Sequence, residues 1–173
     1  ECSFYDKKRQ LNLHTREGKG KFLKHICALS NSNPSNNSYI VVGVEDHDNE
    51  IVGDDFFDDS RIQNLVNAFL ENPPKIQYEN VPFPRLQRHK VVGLVTIHSN
   101  HQVTSLLKNA WKYQKGTIFY RRGSNSMPFS GTRFELKNTN KEVVAAIEKS
   151  ATNNIELTLN GVFDFINNHK PEY

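Results

Sequence analysis

Two uninterrupted apolar runs stand out from an otherwise mixed pattern of apolar and polar positions. They cover residues 39–44 and 91–97, and both are rich in β-branched side chains. Such runs are typical of inner strands that are buried on both faces. Gly43, inside the first run, predicts a bulge or the close approach of another backbone. Two carboxylates and an acidic turn follow the first run. Residues 50–53 would then form a short strand that runs back beside it, which predicts a β-hairpin.

Apolar residues at helical spacing predict two further elements. Residues 21–31 and 60–71 each carry an apolar stripe, which is typical of helices packed on a sheet. Ser60 and Gln63 fit a capping box that opens the second helix. The polar stretch 9–20 has no clear period and predicts a loop.

Shorter patterns complete the predicted architecture. We expect a strand over 75–83, a hairpin formed by 106–114 and 117–121, and a helix over 139–149 with Val143, Val144 and Ile147 facing inward. Residues 155–159 and 161–169 are weaker candidates for a strand and a closing helix. Together these elements predict an α/β (α+β) fold: a single domain with a mixed, largely antiparallel sheet and packed helices.

Composition narrows the class of protein only slightly. A chain of 173 residues can bury one core, and its net charge of +3 permits nucleic-acid contact without requiring it. No run reaches 18 apolar residues, so we expect no membrane partner. Cys2 and Cys27 lie far apart in the sequence, which favours reduced thiols and a cytoplasmic location.

The candidate chemistry consists mainly of basic and aromatic side chains. Gly18 and Gly20 precede the first predicted helix, whose amino end would suit an anion. Nearby aromatic residues could stack on bases or belong to the core; these are Tyr5, Trp111, Tyr113, Phe119 and Tyr120. The candidate phosphate-contacting residues are Lys7, Lys8, Arg9, Lys19, Lys21, Arg121, Arg122 and Ser124.

Several short segments, taken in order, resemble one known family. They are Glu1 and Asp6 with Lys8, Ile26-Cys27-Ala28-Leu29-Ser30-Asn31, Gly43-Val44-Glu45-Asp46, Ile51-Val52-Gly53, Pro73-Pro74, and Tyr120-Arg121-Arg122-Gly123-Ser124. In this order, residues 1–126 resemble the Schlafen AlbA-type domain, often described as a DNA-binding domain. Residues 127–173 lie outside the resemblance, and we expect a C-terminal extension packed on the same domain.

The resemblance implies nucleic-acid binding, either to DNA or to structured RNA such as tRNA or rRNA. Some relatives are metal-dependent endoribonucleases that use three carboxylates, and Glu1, Asp6 and Asp46 match those positions. These three acids would then be the catalytic residues and the ligands of Mg²⁺ or Mn²⁺. Glu1 and Asp6 are five residues apart, however, so a regular strand would point them to opposite faces. Pairing of two such lobes in eukaryotic relatives also implies a possible homodimer.

Three hypotheses about function remain open at this point. The first is a nucleic-acid-binding module, possibly regulatory and without catalysis of its own. The second is a metal-dependent endoribonuclease with the three-carboxylate site. The third is a nucleotide-binding or protein-interaction domain of a regulatory protein, for example a transcriptional regulator.

Overall fold

The structure is a computed structural model that describes residues 2–138 and 140–151. In chain order, its elements are β1 (Tyr5–Lys8), α1 (Arg16–Ser32), β2 (Ser38–Val42), β3 (Asp54–Asp55), α2 (Asp59–Phe69), β4 (Leu70–Glu71), β5 (Ile76–Val81), β6 (Lys90–Ile97), β7 (Ser105–Leu106), β8 (Phe119–Arg122), β9 (Asn125–Pro128) and a helix over 141–151, α3. No helix among the described residues is long and apolar enough to cross a membrane.

The two apolar runs form the centre of a five-stranded sheet. β2 pairs with β1 in parallel and with β6 in antiparallel orientation, so Ile40 lies between Asp6 and Val95. β6 also pairs with β5, and beyond the end of β2 it pairs with β3, both antiparallel. The mixed, largely antiparallel sheet of a single α+β domain is therefore confirmed, and both runs form inner strands. The predicted burial on both faces is incomplete, because Tyr39 and Val41 of β2 are only half-buried.

The core lies on one face of this sheet. Residues that pair across neighbouring strands share a face of the sheet. The paired residues Ile40 and Val95 are both fully buried on the face that the helices cover. Ile26 of α1 and Ile62 of α2 belong to the same buried cluster. α1 connects the parallel strands β1 and β2, so this helix and β1 together determine what lies at the sheet's edge.

α1 begins earlier than the sequence pattern predicts. Thr15 caps the helix, because its hydroxyl accepts a hydrogen bond of 3.0 Å from the Gly18 amide. The loop predicted over 9–20 is therefore wrong from Arg16 onward, and the glycines do not precede the helix but lie within its first turns. A β-carbon on Gly18 would come within 1.8 Å of the Asn12 carbonyl oxygen, so close packing explains this glycine.

Gly43 has the predicted role. Its φ of +95° ends β2, and its carbonyl accepts 2.9 Å hydrogen bonds from the amides of Val52 and Gly53. A β-carbon on Gly43 would lie 2.8 Å from the Gly53 α-carbon. The close approach of another backbone is confirmed at this position.

Other local predictions need correction. Asp58, rather than Ser60, caps α2 by accepting from the Ser60 amide. The hairpin predicted over 106–121 is wrong, since β7 is only two residues long and the actual hairpin is formed by β8 and β9. In α3, Val144 is buried, whereas Val143 and Ile147 are each 51% exposed. The elements predicted at 155–159 and 161–169 lie outside the described residues.

Asn31 joins three parts of the chain. Its amide nitrogen donates to the carbonyls of Thr104 and Phe119, at 2.8 and 2.9 Å, and its oxygen accepts from the Thr104 amide at 2.8 Å. The side chain is fully buried. α1 thereby holds β8 and the segment before β7 with hydrogen bonds that water cannot replace.

Candidate nucleic-acid interface

Asp6 is a buried carboxylate surrounded by three basic side chains. Lys8 Nζ lies 2.7 Å and His25 Nδ1 lies 3.2 Å from its Oδ2, while Arg121 Nη2 lies 3.7 Å from Oδ1. The Asp6 side chain is 1% exposed. A buried charge requires such compensation, so this group ties β1, α1 and β8 together.

Arg121 is a structural residue. Its side chain is fully buried, and it donates to the Cys2 carbonyl from Nε at 3.2 Å and from Nη2 at 2.8 Å. This burial contradicts the predicted phosphate contact of Arg121. Arg122 and Ser124 are exposed at the end of the β8–β9 hairpin, where they remain available.

Lys7 and Arg9 contact the acidic turn that follows β2. The Lys7 ammonium donates to the carbonyls of Glu45 and Asp46, at 3.2 and 2.9 Å. Arg9 Nε lies 2.5 Å from Glu45 Oε1, and its Nη1 donates to the Gly53 carbonyl. Strand alternation places Lys7 on the face opposite Asp6, so these two cations lie away from α1.

The three predicted metal-binding carboxylates do not form a site among the described residues. Glu1 lies outside them, and Asp46 is exposed beside Lys7, on the other side of β1 from Asp6. No group of three His, Cys, Asp or Glu side chains in residues 2–138 and 140–151 could hold a metal ion. Asp6 already contacts the two cations Lys8 and Arg121, so the described residues do not fit Mg²⁺ or Mn²⁺.

His25, Asp6 and Ser126 also do not form a hydrolytic triad. Ser126 Oγ lies 3.2 Å from His25 Nδ1, which is the same nitrogen that contacts Asp6. A triad requires the nucleophile and the carboxylate on different ring nitrogens. The arrangement instead orients the imidazole between β1 and β9.

Lysines converge on the first half of α1. Partial burial lowers the pKa of the Lys24 ammonium below its usual range, and the charges of Lys8, Lys112 and Lys21 lower it further, whereas Asp6 opposes them. Lys8, Lys21 and Lys24 also line one cavity, and the Lys21 and Lys112 ammonium groups lie over the same Trp111 ring. Four ammonium groups from three segments of the chain are thus brought to one part of the surface. We define the α1 basic cluster as Lys8, Arg16, Lys19, Lys21, Lys24 and Lys112.

Three cavities surround the amino-terminal turns of α1. The first, of about 320 Å³, is lined by Lys8, Lys21, Lys24 and His25. The second is lined by Arg16, Lys19 and Trp111, and the third by Lys19 and Arg61 among others. Lys19 lines the second and third, and Leu13 lines the first and third, so the three cavities are neighbours. We refer to them together as the basic groove.

Trp111 lies where this groove meets the turn of residues 110–113. A β-carbon on Gly20 would come within 2.7 Å of the Trp111 β-carbon, so glycine allows the turn to approach α1. The Lys112 and Lys21 ammonium groups lie 4.4 and 5.8 Å from the indole ring, within the range of cation–π contact.

The structure thus divides the predicted phosphate-contacting residues. Lys8 and Lys21 line one cavity and Lys19 lines the two neighbouring ones. Lys7 and Arg9 lie on the opposite face. Sequence reasoning did not select Lys112, although its place between Trp111 and Tyr113 gives the basic–aromatic interleaving typical of nucleic-acid contacts. Sequence reasoning did not select Arg16 or Lys24 either, although both belong to the same basic segment.

Comparison with known proteins gives one extensive family match. The family model described as "Schlafen, AlbA_2" matches residues 1–130, and a second, "Domain of unknown function (DUF5929)", matches residues 142–173. No curated protein matches. A solved structure, the DIP2311 protein from Corynebacterium diphtheriae, is 13% identical with a TM-score of 0.49, and the alignment covers 73% of this chain but 22% of that one. The first match spans well over half of the sequence, and the chain therefore belongs to the Schlafen AlbA_2 family.

Proposed function

We propose that this chain is a nucleic-acid-binding module that holds phosphate groups along the α1 basic cluster. Membership in the Schlafen AlbA_2 family supports nucleic-acid binding in general. The observation that carries the location is geometric: Lys8, Lys21 and Lys24 line one cavity. Lys112 lies over the same indole ring as Lys21. Like charges brought together in this way destabilise the unliganded protein, and a polyanion relieves their repulsion.

The surroundings of the cluster favour an anion as well. Arg16 and Lys19 lie in the first turn of α1, where the helix macrodipole adds to their positive charge. Glu17 pairs with Lys21 at 2.6 Å, but both side chains are more than half exposed, so this ion pair is weak and a phosphate can replace it. Asp6 is fully buried behind Lys8 and does not face the groove as a free carboxylate.

The test is a salt titration of binding. Labelled duplex, single-stranded and structured-RNA oligonucleotides are titrated at about 50 to 200 mM salt, and affinity falls steeply as salt rises. The variant Lys19→Gln/Lys21→Gln/Lys24→Gln reduces the slope of log K against log salt by about 2 to 3, because three phosphate contacts are lost.

Lys149→Gln is the matched control. Lys149 is an exposed lysine of α3, a helix whose Glu148 contacts Tyr39 on the sheet face opposite α1. This variant keeps the affinity and the salt slope of the unmodified protein. Absence of binding to every oligonucleotide, or an unchanged slope in the triple variant, contradicts the proposal.

A further inference from the structure

The tip of the turn at residues 110–113 carries an aromatic side chain at the mouth of the basic groove. We propose that Trp111 stacks on an unpaired base, so that the module selects single-stranded nucleic acid. This inference rests on the proposed function and specifies the partner of the same surface.

The backbone at Trp111 is costly for this residue. Ala110 and Tyr113 exchange both backbone hydrogen bonds, at 2.9 and 3.0 Å, and leave Trp111 and Lys112 at the tip. Trp111 has a φ of +55°, a conformation that bulky residues rarely adopt and that asparagine or glycine adopts easily. Strained residues cluster at ligand sites, so the position calls for a reason beyond turn formation.

Core packing does not supply that reason, because Trp111 is 40% exposed. Tyr113 meets the indole edge-on, with ring centroids 5.6 Å apart and planes at 84°, and Tyr113 in turn packs on the buried Phe119 at 5.0 Å. The indole is thus braced from the core while a large part of it remains accessible. A braced, accessible ring can stack on a base without first being ordered.

The neighbouring charges fit a nucleotide rather than an isolated aromatic ligand. Lys21 and Lys112 lie near the ring, and their flexible side chains can move from the indole to the phosphates on either side of a stacked base. Arg16 and Lys19 line the same cavity as Trp111. In a duplex, the faces of the bases are covered by their neighbours, so a stacking residue of this kind favours unpaired bases.

The test uses intrinsic fluorescence, since Trp111 is the chain's single tryptophan. The unmodified chain is titrated with a single-stranded oligonucleotide of about 12 nucleotides, its abasic counterpart and a duplex of the same sequence. Anisotropy of a label on the nucleic acid reports binding in parallel. We expect the single strand to bind most tightly and to quench Trp111, and the abasic strand to bind without quenching.

Two variants separate stacking from a structural role of the indole. Trp111→Asn removes the ring while suiting the positive φ, and Trp111→Phe keeps a ring. Affinity for the single strand falls about 5- to 150-fold in Trp111→Asn and is largely retained in Trp111→Phe, as expected for the loss of one base stack. Affinity for the abasic strand is nearly the same in all three proteins, which also shows that Trp111→Asn remains folded.

The outcomes distinguish the two proposals. Binding without quenching of Trp111, unchanged affinity of Trp111→Asn, or tighter binding of the duplex overturns the stacking proposal and leaves the basic cluster in place. Absence of binding to all three oligonucleotides overturns both.

Discussion

Replacement of Asp6 by asparagine tests whether this acid has a structural or a catalytic role. The substitution keeps the shape of the side chain but removes its charge, and the Arg121 guanidinium then stays buried without a counter-ion. Breaking a buried ion pair from one side costs about 3–5 kcal/mol. The Lys8 contact adds little because that side chain is 32% exposed and can turn to water.

We therefore expect Asp6→Asn to lower the free energy of unfolding by about 3–5 kcal/mol. Urea unfolding followed by far-ultraviolet circular dichroism measures this loss. In a chain of this size, the midpoint of thermal unfolding falls by about 2–4 °C for each kcal/mol. Asp46→Asn is the matched control, and this exposed acid changes stability by less than about 0.5 kcal/mol.

The two roles of Asp6 lead to opposite results. Acids held together for catalysis repel one another, so replacing one of them commonly leaves stability unchanged or raises it. A loss below about 1 kcal/mol in Asp6→Asn would refute the structural interpretation, because an uncompensated buried charge costs more than that.

Three other outcomes follow from the structure. Asn31→Ala removes three buried hydrogen bonds and lowers the free energy of unfolding by at least about 3 kcal/mol, as measured in urea, whereas a loss near zero would contradict the burial of these groups. The pKa of Lys24 is lowered on folding, so the unfolded chain binds more protons and stability rises as pH approaches 10.5. Lys24→Gln removes that rise. If the free energy of unfolding changes with pH in the same way in both proteins, Lys24 is not its cause. Asp46→Ala binds nucleic acid as the unmodified chain does, without Mn²⁺-dependent cleavage in either; cleavage that is lost in Asp46→Ala would restore the carboxylate-site hypothesis.

The central strands could be predicted from the sequence because the pattern that indicates them lies within a few consecutive residues. Residues 39–44 and 91–97 are largely apolar, and such runs are typical of inner strands, which is where the structure places both. The start of α1 could not be predicted from the sequence, because Gly18 and Gly20 are unfavourable inside a helix. Their reasons are tertiary contacts, with Asn12 in one case and with the turn of Trp111 in the other.

In the candidate interface too, some features can be read from a local sequence pattern and others depend on contacts between distant segments. Lys19 and Lys21 were selected from the density of basic residues along one segment, and their contact with phosphate stays a prediction. The burial of Arg121 was not found, because the carboxylate that it faces is more than one hundred residues away and no periodicity connects them. Lys112 was missed because its distance from Lys24 depends on a turn that was predicted to be a strand.

The link between Arg121 and the first strand also has a consequence for synthesis of the chain. Arg121 contacts the carbonyls of Cys2 and Tyr5 across separations of 119 and 116 residues, so β1 gains these contacts only after most of the domain has emerged. Until then, β1 is held at the edge of the sheet by its pairing with β2 without the Arg121 contacts, and an edge strand that separates exposes unpaired backbone groups that invite aggregation. Amide hydrogens of β1 and β8 are accordingly expected to exchange with solvent as one cooperative unit.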